Sequence, residues 1–276
     1  NPAYREEEYD FYLSDLNAKA LVVMEGDDGP AVAAATKAGM AIVWLSVPDG
    51  APAGSFTLAS DTRGMTPSDE PGPDDVALIL HTSGTTSRPK IVPLLQSNVA
   101  ASAHNIARSL DLTAQDRCMN VMPLFHIHGL IAAVTASLAA GASIWCAPGF
   151  NALQFFAWMK EAKPTWYTAV PTMHQAILSR AGRNADIIAE NPLRFLRSSS
   201  ASLPAQVMVQ LNETFNAPVV EAYGMTETAS QAATALPGSD PDAGLEPLDG
   251  VEARLARSRV CSDEIGTRLF GHCQRE

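Results

Sequence analysis

Cysteine is scarce in this chain, and the few present stand apart. The four among 276 residues, Cys118, Cys146, Cys261 and Cys273, form no CxxC pair. That spacing speaks against a zinc site, and a chain of this size has no need of a disulfide framework. Basic residues are also in deficit: 19 Lys and Arg against 30 Asp and Glu leave a net charge of −11. Nucleic-acid binders favour basic faces, so this balance argues against nucleic acid as a partner. No apolar run reaches transmembrane length, no secretory leader is visible at Asn1, and no internal repeat or low-complexity tract occurs. The expected setting is a reducing cytoplasm, without a membrane span.

A hydrophobic content of 46% with 18% charged residues suits a sizeable core. The length fits one large domain or two small ones. Residues 5–16 have helical spacing, with Tyr9, Tyr12, Leu13 and Leu16 on one face. Strand-like runs at 20–24 and 41–46 flank a helix over 29–38, a β-α-β rhythm that favours a parallel sheet. The stretch 47–75 is rich in Pro, Gly, Asp and Ser and reads as a connector. Beyond it, helices at 96–110, 129–139, 152–162, 172–180 and 205–215 alternate with strands at 118–122, 143–146, 165–169, 193–197 and 219–222. This predicts an α/β fold of mostly parallel sheets flanked by helices. From about Pro237 no element can be placed.

Chemistry gathers first at His81-Thr82-Ser83-Gly84-Thr85-Thr86-Ser87-Arg88-Pro89-Lys90. It follows the apolar strand Val76-Ala77-Leu78-Ile79-Leu80, so five hydroxyls, a glycine and two cations leave a strand end in one loop. Hydroxyls and backbone N–H groups donate to phosphate oxygens, and Lys90 adds a point charge. A solvated Ser/Thr turn is the plainer alternative. A Walker A loop is excluded: Pro89 precedes the lysine, Ile91 follows it, and no helix start comes after.

Four further clusters follow in order. Met122-Pro123-Leu124-Phe125-His126-Ile127-His128-Gly129-Leu130 holds two histidines at i, i+2, which point to opposite faces if extended and make a poor metal pair. Trp166-Tyr167-Thr168-Ala169-Val170-Pro171-Thr172 runs from a strand into a helix, and Pro171 is good helix-start chemistry by itself. Arg197-Ser198-Ser199-Ser200-Ala201-Ser202-Leu203-Pro204 offers small side chains that let a flat ring approach the backbone; an ordinary serine turn has the same composition. Val220-Glu221-Ala222-Tyr223-Gly224-Met225-Thr226-Glu227 delivers a ring that can stack, a glycine for a tight turn, a hydroxyl donor and a carboxylate for a hard cation.

Taken together these segments resemble the adenylate-forming superfamily of acyl-CoA synthetases, luciferases and peptide-synthetase adenylation domains. The loop follows that family's [ST]-S-G-[ST]-T-G-x-P-K pattern, with Ser87 in place of the usual glycine. The form TSGTTSRPK, with PLFHIHGL, WYTAVPT, LRFLRSSSASLP and EAYGMTE, is most similar to the oxalate-CoA ligase branch. The resemblance implies that a carboxylate attacks the α-phosphate of ATP and that coenzyme A then displaces AMP. By the same match, Thr82, Ser83, Gly84, Thr85, Thr86, Ser87, Arg88, Pro89 and Lys90 hold the β- and γ-phosphates. Ser199, Ser200 and Ala201, with Glu221, Ala222, Tyr223 and Gly224, face adenine. Thr226 contacts the α-phosphate and Glu227 carries Mg²⁺. His126 seats the acid's carboxylate, and His128 and Thr168 border its pocket. Ser230 stands near the place where the branch usually has a histidine; it can hydrogen-bond a carboxylate but brings no charge.

The resemblance covers roughly residues 1–235. Asn1-Pro2-Ala3-Tyr4-Arg5 matches a segment well inside the family's large domain. Asp263-Glu264-Ile265-Gly266 echoes the stretch before a T-G-D motif that is not in this sequence, and the family's small C-terminal domain is not visible. The expectation is an incomplete large N-terminal domain of an acid-CoA ligase. A non-catalytic remnant with residual nucleotide binding and a peptide-synthetase adenylation domain stay open beside it.

Overall fold

Parallel strands covered on both faces read as short, nearly continuous apolar runs, and residues 117–223 are built this way. The computed structural model describes residues 1–60, 70–82 and 89–234, and the backbone of 246–247. These fall into two compact units, Asn1–Glu70 and the chain from Pro71 onward.

In the first unit, α1 (Glu6–Asp15) buries no residue fully, and its predicted apolar face is only half-buried. The Tyr4 and Tyr12 rings stack there, centroids 5.0 Å apart. Strands β1 (Ala20–Met24) and β2 (Ala41–Ser46) pair in parallel through α2 (Pro30–Lys37), as the β-α-β rhythm predicts. Helix α2 opens with Pro30 in its first turn, and the Asp27 carboxylate accepts the Gly29 N–H at 2.8 Å. The stretch read as a connector contains β3 (Thr57–Ser60), which adds antiparallel to β2.

The second unit begins with a hairpin, β4 (Val76–Thr82) and β5 (Lys90–Leu95), in which Thr82 faces Lys90. Then come α3 (Gln96–Ser109), β6 (Arg117–Asn120), a π-helical turn His128–Thr135 running into α4 (Ala136–Ala139), and β7 (Ser143–Cys146). They are followed by α5 (Phe155–Ala162), β8 (Trp166–Ala169), α6 (Pro171–Ala181), α7 (Ala185–Glu190), β9 (Phe195–Ser199), α8 (Ala205–Phe215) and β10 (Val219–Tyr223). Two short strands, β11 (Ala233–Thr234) and β12 (Glu246–Pro247), extend the sheet antiparallel to an order β12-β11-β10-β9-β8-β6-β7. The sheets are thus mixed at their margins.

Successive residues of each central strand enter opposite cores. Met119, Tyr167 and Leu196 join Phe155, Met159, Ile177 and Leu211 of α5, α6 and α8. Cys118, Trp166 and Phe195 join Ile106, Leu110 and Ile131 on the side of α3 and the π-helical turn. At the amino edge of this sheet, Arg194 pairs with buried Asp116 through two hydrogen bonds, Nε–Oδ1 at 3.0 Å and Nη2–Oδ2 at 3.1 Å. Burial raises the Asp116 carboxyl, but donors from Thr113, Thr165 and Arg194 outweigh it and hold the group below its usual value. The pair ties the starts of β6, β8 and β9 together, so the opposite edge is presented on a fixed frame.

Candidate active site

Strands β7, β6, β8, β9 and β10 all run parallel, so their carboxyl ends share one edge. The chain lays β7 on one side of β6 and β8 on the other. Such a reversal opens a crevice at the carboxyl ends, the usual binding place in α/β sheets. Each of the four later sequence clusters exits at this edge.

After β6 the chain turns through Pro123 to His126 and enters the π-helical turn at His128. Gly129 makes that turn possible, because a Cβ there would lie 2.4 Å from the Pro123 carbonyl oxygen. The two histidines are not on an extended segment: His126 is exposed and His128 is buried. His128 Nε2 lies 2.6 Å from Thr168 Oγ1 and Nδ1 lies 3.0 Å from Ser200 Oγ. Thr168 donates to the Arg197 carbonyl at 3.2 Å and accepts from Arg197 Nη1 at 3.4 Å. Its remaining lone pair therefore receives the His128 Nε2–H, which leaves Nδ1 to accept from Ser200. Burial, followed by the Arg197 cation, holds His128 well below the usual histidine value, so it is neutral.

The serine segment ends β9. Ser199 is buried and donates to the Ala222 carbonyl at 2.9 Å, locking β9 to β10. Ser200 adopts φ 74°, which turns the chain out of the sheet, and Ala201 is exposed beyond it. Two of the three residues expected at adenine thus turn their hydroxyls into the protein. Glu221 accepts the Leu203 N–H at 2.9 Å and fixes the next turn.

Past β10, Tyr223 is half-buried and Gly224 begins a tight return. Thr226, Glu227 and Thr228 form a 3-10 turn, after which Ala229 and Ser230 take φ 54° and 106°. Thr226 and Glu227 are half-buried, and Ser230 is buried. The β4–β5 hairpin packs here, since Val92 and Leu94 form one apolar cluster with Ala229. Lys90, at the start of β5, is exposed and opens a strand, unlike a Walker A lysine. Thr82 and Lys90 thus belong to the hairpin strands and flank the loop between them; Pro89 adjoins Lys90. Ser83, Gly84, Thr85, Thr86, Ser87 and Arg88 lie outside the described residues, as does the 263–266 segment.

The strand ends hold partners that the sequence clusters did not single out. Arg197, 1% exposed, donates from Nη2 to Gln231 Oε1 at 2.7 Å, and Gln231 Nε2 reaches Ser109 Oγ at 3.4 Å. The signal in the sequence is a charge directly after two apolar strand residues, Phe195-Leu196-Arg197. Among the described residues no three His, Cys, Asp or Glu side chains gather as a metal site. A hard cation such as Mg²⁺ keeps several waters and takes one or two carboxylates plus phosphate oxygens. Glu227 beside the Thr226 hydroxyl fits that pattern.

Residues 1–264 match the family model for AMP-binding enzymes. An oxalate–CoA ligase of Arabidopsis thaliana is 45% identical over 249 residues, covering 87% of this chain and 46% of the plant protein. The oxalate–CoA ligase of Saccharomyces cerevisiae is 36% identical, covering 84% of this chain and 46% of its own. The crystal structure of ATP-bound MatB from Rhodopseudomonas palustris superposes with a TM-score of 0.71 at 27% identity, over 90% of this chain and 47% of that one. The chain therefore spans about half the length of the curated relatives it matches. On the family match and these identities, the chain belongs to the AMP-binding enzymes.

Proposed function

We propose that this chain activates a small carboxylic acid with ATP and Mg²⁺ for transfer to coenzyme A. The observation that carries the reading is the convergence of the segments bearing His126, Thr168, Ser200, Tyr223, Thr226 and Glu227 on the carboxyl edge of a parallel sheet. Thr82, the 83–88 loop, Pro89 and Lys90 hold the β- and γ-phosphates. The backbone at Ser199, Ser200 and Ala201, with Glu221, Ala222, Tyr223 and Gly224, seats the adenine. Thr226 donates to the α-phosphate. Glu227 holds Mg²⁺, which balances charge on the phosphate oxygens. His126 orients the acid's carboxylate, while His128, Thr168 and Ser230 shape its pocket. The work of these residues is positioning and charge stabilisation.

Similarity to the two oxalate–CoA ligases supports a small diacid, with oxalate the first choice. ATP–pyrophosphate exchange on the purified chain tests the reading. Exchange with oxalate should exceed exchange with a mid-chain fatty acid; no exchange with any acid contradicts catalysis by this chain. Lys90→Ala should weaken ATP binding about tenfold, the scale of one charge-assisted phosphate contact. Unchanged affinity by calorimetry would remove Lys90 from the phosphate site.

A further inference from the structure

Arg197 is a cation buried without an anion. Among the described residues no carboxylate pairs with it. Its partners are neutral oxygens, on Thr168 and Gln231, and its Nε–H has no acceptor. Burying an uncompensated charge costs several kcal/mol, and an anion held nearby would offset part of that cost. Arg197 stands at the register position of Thr168, one strand over, at the edge where the acid is expected. From there its hydrogen bonds lead to His128 through Thr168, and to Gln231, the residue after Ser230.

Among the described residues it is the buried cation bonded to Thr168, which is expected at the acid pocket. His128 is neutral, and Ser230 brings no charge. We propose that Arg197 selects a doubly charged acid, acting from beneath the pocket through its field and through the side chains it holds in place. It is a positioning residue, since its guanidinium is buried and its hydrogen bonds go to Thr168 and Gln231. This rests on the acid-activating reading above and deepens it.

Oxalate and oxamate have nearly the same shape and differ by one charge, so their affinity ratio isolates the electrostatic part. Calorimetry on the full chain with AMP, and without divalent cations that oxalate would chelate, measures it. The wild-type chain should prefer oxalate by roughly tenfold or more, the scale of one added charge at low effective dielectric. Arg197→Met should bring the ratio close to one while leaving AMP affinity unchanged, and Arg197→Lys should keep most of the preference. General loss of structure would weaken both acids and AMP together, leaving the ratio intact. A wild-type ratio near one overturns the proposal even if Arg197→Met fails to fold. So does a full ratio in folded Arg197→Met, or a folded Arg197→Lys that loses it. AMP binding with neither acid bound overturns this inference alone, whereas no AMP binding removes the reading beneath it as well.

Discussion

Replacing Gly224 with alanine is expected to lower stability by about 3 kcal/mol, the upper range for overpacking, and ATP affinity by about 100-fold. The Cβ would lie 1.4 Å from the Ser230 carbonyl oxygen and 2.5 Å from its carbon. Both obstacles are backbone, so no side chain can swing away. That backbone is already fixed: Ala232 N–H donates to the Tyr223 carbonyl at 2.8 Å, and Ser102 donates to the Ala229 carbonyl at 2.6 Å. Relief must therefore move the turn carrying Thr226, Glu227 and Ser230. Gly149→Ala is the control, since its Cβ meets nothing within 4 Å. Urea unfolding and ATP calorimetry on both variants check this; wild-type ATP affinity in Gly224→Ala would contradict it.

Acid should destabilise the fold well before its carboxylates are fully protonated. His174 lies in the core with Nδ1 3.1 Å from the Tyr167 hydroxyl. Burial pushes it down to about 4, and burial also lowers His128 well below its usual value. Both values are depressed on folding, so their contribution to stability is complete above about pH 6.5 and is lost as pH falls towards 4. In that window the unfolded chain takes up protons that the native core refuses. For His174 the loss reaches about 3 kcal/mol at pH 4. Urea melts at pH 7 and pH 4.5 measure it. His174→Phe should reduce the loss between the two pH values, although it costs stability at both by orphaning the Tyr167 hydroxyl. An equal loss in wild type and variant would contradict the assignment.

Much of this was legible from local pattern. The central strands and helices announced themselves because a doubly covered parallel strand is apolar throughout and the intervening helices are periodic. The motif residues could be read because their chemistry sits in short consecutive segments at strand exits. What escaped depended on distant partners. Strand β5 contains Pro93, which argues against a ladder position; a two-stranded hairpin tolerates it because both strands are edges. Strand β3 is only four residues long and exposed throughout, so its place depends on pairing with β2. The burial of His128 and its bonds to Thr168 and Ser200 join residues 40 and 72 positions away, which no spacing rule reaches. Arg197 heads a serine segment in the sequence, and only the register of β8 against β9 makes it the centre of a buried polar network.

Nucleotide is expected to bind at the carboxyl edge of the parallel sheet. Photolabelling the chain with 8-azidoadenosine triphosphate, followed by peptide mapping, tests it most directly. Label is expected on peptides containing Ser199–Ala201 or Tyr223–Glu227, competed away by ATP. Competable label at the amino edge, around Asp116, Thr165 and Arg194, or no competable label at all, would contradict it.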